Sequence, residues 1–60
     1  MRYIVRVDAL SEVVEELHED GQDFAEVELC ETDEHTGYVL LHSWKAGERD
    51  RQTSKLYVEK

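Results

Sequence analysis

Apolar and polar residues alternate with a period of two along most of this chain. The clearest stretch runs from Phe24 to Lys45. Phe24, Glu26, Glu28 and Cys30 point one way, and Ala25, Val27 and Leu29 the other. After Gly37, Val39 and Leu41 continue the apolar set, while Tyr38, Leu40, His42 and Trp44 form a second, mixed face. Two such runs joined by a short polar segment predict a β-hairpin. Its turn, Asp33 to Gly37, suits a type I turn closed by a left-handed glycine. A three-residue loop, His35 to Gly37, pairs Cys30 with His42; a five-residue loop pairs Cys30 with Leu40. The first is preferred, because three-residue loops ending in such a glycine are common.

Residues 2–7 alternate in the same way. Tyr3, Val5 and Val7 share one face, Ile4 and Arg6 the other, which predicts a short strand. The period then changes. Leu10, Val13, Val14 and Leu17 recur at helical spacing, with Asp8 placed as an N-cap and Gly21 as a left-handed C-cap. A helix over residues 9–20 follows. Ala46 to Gln52 reads as a polar loop, and Thr53 to Glu59 as a last strand with Leu56 and Val58 inward.

The predicted fold is α+β, in the order β-α-β-β-β. One four-stranded mixed sheet carries a single helix on one face. The helical crossover makes the first strand parallel to the second, with right-handed crossing. The inward set is Tyr3, Val5, Val7, Leu10, Val13, Val14, Leu17, Ala25, Val27, Leu29, Val39, Leu41, Leu56 and Val58. One helix covers one sheet face, so the other stays open. It should carry Ile4, Phe24, Cys30, Tyr38, Leu40, His42, Trp44 and Tyr57. A contiguous apolar patch of this kind marks an interface.

Sixty residues make one domain, 1–60, with a core worth roughly 3–5 kcal/mol net. A lone Cys gives no internal disulfide. No secretory leader pattern and no membrane-length apolar run is present, so a cytoplasmic protein is expected.

Charge sharpens the picture. Fifteen acidic residues face seven basic ones, a formal net of −8. Between Asp8 and Trp44 lie twelve acids and no Lys or Arg. Such a surface repels phosphate, which argues against nucleic acid and anionic membranes and for a cationic partner. Acid-rich, Lys-poor composition is equally what genomic bias or a high-salt cytoplasm produces, with no partner implied. Arg6 and Lys55 are expected on the open face beside Glu26 and Glu28, and Lys45, Arg49 and Arg51 in a basic lip.

Candidate chemistry is sparse. Cys30, His35 and His42 invite a zinc reading, but no paired Cys or His spacing supplies four converging ligands. Cys30 with His42 would make a weak nucleophile pair, since Glu28 and Glu31 flank the thiol and raise its pKa. The glutamates of the helix occupy a solvated face, and no phosphate-binding glycine loop exists. No catalytic residue, metal or cofactor is therefore expected. Two functions remain in competition. The first is a small acidic interaction module that homodimerises or docks a protein partner through Ile4, Phe24, Tyr38, Leu40, His42, Trp44 and Tyr57. The second is an acidic nucleic-acid mimic, in which Glu12, Glu15, Glu16, Glu19 and Asp20 occupy the groove of a basic protein. An enzyme ranks last.

Overall fold

The computed structural model describes residues 2–59. Helix α1 spans Val7–Glu19 and is followed by strands β1 (Phe24–Glu31), β2 (Thr36–Trp44) and β3 (Arg51–Glu59). The strands form one antiparallel sheet in the order β1-β2-β3. The domain is α+β, but the four-stranded mixed sheet is corrected to a three-stranded antiparallel meander with one helix.

The predicted first strand accounts for the difference. Its alternation is present, yet only Ile4 pairs, through an isolated antiparallel bridge to Glu59. The two residues exchange N–H···O bonds of 2.6 and 2.8 Å. The next step of that ladder would need Arg6, whose carbonyl already accepts the N–H of Leu10 in the first helical turn. The segment therefore turns into the helix after one bridge, and no parallel pair or crossover forms.

The helix begins two residues earlier than its pattern suggests. Arg6 occupies the N-cap position without a side-chain cap bond. Asp8 sits inside the first turn instead, where its Oδ1 accepts the N–H of Ala9 at 2.8 Å. The Arg6 guanidinium, 3.0 Å away, is the main cause that holds the Asp8 carboxyl below its usual range. At the other end Gly21 adopts φ +73°. Gln22 N–H reaches the Leu17 carbonyl and Gly21 N–H that of His18, the paired bonds of a Schellman stop.

The hairpin register also differs from the preferred one. Cys30 pairs with Tyr38, and His42 with Glu26. Asp33, not Gly37, sets the turn: its Oδ1 accepts the N–H groups of His35 and Thr36 at 2.7 and 2.8 Å. Thr32 and Thr36 hydroxyls close the neck at 2.9 Å. Gly37 is a buried residue of β2, and its φ is not positive.

The core is small and off-centre. Val13, Leu17 and Leu56 form its buried cluster, with Val5, Ala9, Val39 and Leu41 packed partly against it. Helix α1 meets the sheet over β3. Several residues expected inward are consequently exposed: Val7, Leu10, Val14, Val27 and Leu29. Ser43 is fully buried, and its hydroxyl donates to the Gln52 carbonyl at 3.2 Å.

Tyr3 fastens the N-terminal segment across the sheet. Its hydroxyl donates to the Glu31 carboxylate, and this bond is the main cause raising the phenol from 10.0 to about 12. A raised pKa means the folded state holds this proton more tightly. Its contribution is complete below the ordinary tyrosine range and is lost as pH climbs through about 12. Tyr3→Phe should remove the tyrosinate absorbance step near pH 12; a step that persists there would assign it to another group.

Candidate functional site: the open sheet face

Residues paired across a sheet share a face, so the register lays out the surface opposite α1 row by row. The first row is Phe24, Trp44 and Arg51. The Phe24 and Trp44 rings lie 5.7 Å apart, tilted by 33°. The Arg51 guanidinium covers Trp44 at 4.3 Å from the ring centroid, while its Nη1 reaches Glu26 Oε2 at 3.3 Å. Glu26, His42 and Thr53 form the second row. His42 links it to the next row, with Nδ1 3.2 Å from the Thr53 hydroxyl and Nε2 3.2 Å from Glu28 Oε1. Glu28, Leu40 and Lys55 follow, then Cys30, Tyr38 and Tyr57. The Lys55 ammonium lies 4.3 Å from the Tyr38 ring centroid and 5.1 Å from that of Tyr57.

The face therefore has an acidic border on β1, a half-buried aromatic and aliphatic centre on β2, and a cationic border on β3. Cations over rings in exposed positions contribute about 0.5–1 kcal/mol each. Exposed ion pairs contribute about 0–1 kcal/mol. These contacts fix side-chain geometry more than they stabilise the fold. They hold Trp44 and Tyr38 in defined orientations, with one edge of the face negative and the other positive.

All seven residues expected on this surface lie on it. Tyr38, Leu40, His42 and Trp44 are half-buried along β2, and Phe24, Tyr57 and Ile4 are exposed toward the borders. Ile4 reaches the face through its bridge to Glu59. The charged border differs in composition. Lys55 and the two glutamates are where expected, but Arg6 turns to Asp8, and Arg51 takes the position beside Glu26. Of the expected basic lip, Lys45 and Arg51 line one recess at that end of the domain, but Glu48 and Asp50 line it with them, so it is of mixed charge. Arg51, read from the sequence as part of the loop 46–52 and of the lip, instead opens β3 and joins this face. Its parity with Thr53, Lys55 and Tyr57 was the available signal.

Cys30 and His42 are not cross-strand neighbours. Their partners, Tyr38 and Glu26, put them four residues apart along β1, roughly 13 Å. Among the described residues no three His, Cys, Asp or Glu side chains converge as a metal site. No helix among them is long and apolar enough to cross a membrane.

The acids expected as a second surface are all exposed. Glu12, Glu15, Glu16 and Glu19 fall within an arc of about 100° on α1. Asp20 closes the helix, and its carboxylate accepts Gln52 Nε2 at 2.7 Å. Comparison with protein families, curated proteins and solved structures yields no match to this chain.

Proposed function

We propose that this chain is a small acidic protein-interaction module that docks through its open sheet face, with a second copy as the first candidate partner. The observation that carries this reading is the row Phe24, Trp44, Arg51. A tilted aromatic pair and a guanidinium lie at the surface with no second layer over them among the described residues. Interfaces concentrate energy in aromatic and Arg anchors, and polar rims surround them. Here Glu26, Glu28 and Lys55 supply the rim. In this reading the module is not an enzyme and uses no cofactor. The single free thiol of Cys30 suits a reducing, cytoplasmic setting.

Sedimentation across protein concentration tests the dimer. The wild type should associate in the micromolar range. Trp44→Ala should weaken association by more than about tenfold, as loss of an anchor does, with secondary structure retained. A wild type that stays monomeric at high micromolar concentration would remove the second copy as the partner.

A second reading is favoured by a separate observation. The glutamate arc of α1 makes no ion pair with the described residues, whereas Asp8 and Glu26 pair with Arg6 and Arg51. An uncompensated acidic stripe suits a nucleic-acid mimic that binds a basic protein. Such a complex weakens steeply with salt, whereas an apolar sheet-face dimer does not.

A further inference from the structure

The side of the sheet that carries α1 is only half covered. Helix α1 sits over β3, and on one flank Ala9, Glu12 and Glu16 border a recess with Lys55 and Leu56. At 100° per residue, Leu10 and Val14 occupy the opposite flank, which faces across β2 toward β1. Both are exposed, at 39% and 44%. On β1, Val27 and Leu29 lie in register with Leu41 and Val39 and are also exposed, at 64% and 42%. An apolar trough thus runs between the helix and β1. Strand β1 is in addition an edge of the sheet with no paired residue on its outer side among the described residues, whereas the β3 edge carries the Ile4–Glu59 bridge. Alternate residues of such an edge turn backbone N–H and C=O groups outward, ready to pair with an added strand.

We propose that β1 is a strand-addition site for an extended segment of a partner protein in which basic and apolar residues alternate. Pairing on the β1 edge would place the partner's apolar side chains in the trough beside Val27 and Leu29. Its basic side chains would then fall on the opposite face, next to Glu26 and Glu28. Those carboxylates are 68% and 57% exposed and each retains oxygen lone pairs beyond its bond to Arg51 or His42. The charge pattern selects against a second copy. Two β1 strands paired about a two-fold axis at Val27 set Glu26 opposite Glu28, and an axis at Glu28 sets that glutamate opposite itself; an axis at Leu29 avoids this but puts each Val27 opposite a Glu31. Like charges directly opposite destabilise a sheet. Backbone pairing supplies affinity in this mode, and side-chain alternation supplies selectivity.

The test uses the full chain at 0.15 M salt and an N-acetylated heptapeptide of alternating lysine and valine. The control peptide has the same composition in blocks, four lysines then three valines. The alternating peptide should shift the amide resonances of residues 25–31 and of Leu10 and Val14, and bind at least about tenfold more tightly than the control, a difference of about 1.4 kcal/mol. The double variant E26K/E28K should lose at least about tenfold in affinity. E26Q/E28Q, a milder change if the reversal misfolds, should lose less. The amide of Tyr57, on the far strand of the open face, should not shift, which separates this site from that face. Equal affinity for both peptides, or shifts confined to the open face, would overturn the proposal. So would β1 amides that become protected with rising protein concentration in the absence of peptide, because a second copy would then hold the edge.

Discussion

Leu17→Asp unfolds the domain, and circular dichroism of the variant at neutral pH should report a coil. Leu17 is 9% exposed and belongs to a buried cluster of three, with Val13 and Leu56. That cluster is the join between α1 and β3. An aspartate there would exchange apolar contact with Val13 and Leu56 for a charge, and the Lys55 ammonium is already held over the Tyr38 and Tyr57 rings. Burying an unpaired charge costs several kcal/mol. A sixty-residue core without an internal disulfide supplies only about 3–5 kcal/mol net. The cost therefore equals the whole stability. Isolated α1 offers nothing in reserve, since a helix of thirteen residues is marginal in water without its packing surface. A folded spectrum for Leu17→Asp would show that α1 does not depend on β3, and the core as described would have to be redrawn.

What the alternation of residues conveys is which face a side chain takes. It carries that information for β1, β2 and β3, and the open face could be read residue by residue from Phe24 to Tyr57. It does not convey which strand lies beside which. The segment 2–7 alternates as well as β3 does, but its neighbour was decided by Arg6, whose carbonyl is taken by the helix. The position of α1 over β3 rather than over the sheet centre was equally invisible, and with it the exposure of Val27 and Leu29. Register depended on turn chemistry. Asp33 and Gly37 both suit a tight turn, and the sequence offers no reason to prefer the Asx bonds of Asp33 over a left-handed Gly37. Parity survived that ambiguity, because a shift by an even number keeps every side chain on its face.

Gly37→Ala should destabilise the domain by about 1–2 kcal/mol. Two effects oppose one another at this position. Alanine loses less backbone entropy than glycine on folding, which favours the variant by roughly 0.5–1 kcal/mol. A Cβ on Gly37, however, would lie 2.8 Å from the Cys30 carbonyl oxygen and 3.6 Å from the Glu31 Cα. Both are backbone atoms of β1, so no rotamer change relieves the contact. The strand itself must shift, and overpacking of this kind costs about 1–3 kcal/mol. The clash wins. Gly37 sits on the central strand between Glu31 and Val58, so the shift disturbs pairing on the β1 side and the bridge from Tyr3 to Glu31. In a domain of this size each kcal/mol lowers the melting midpoint by roughly 4–8 °C. Gly37→Asn separates the two roles glycine can play here. In a left-handed turn position asparagine is tolerated better than alanine. In a strand it adds the same Cβ and a poorer β-former. Asparagine should therefore be no more stable than alanine at position 37 when both are compared by urea denaturation. An asparagine variant clearly more stable than the alanine one would place Gly37 in the turn and undo the pairing of Cys30 with Tyr38.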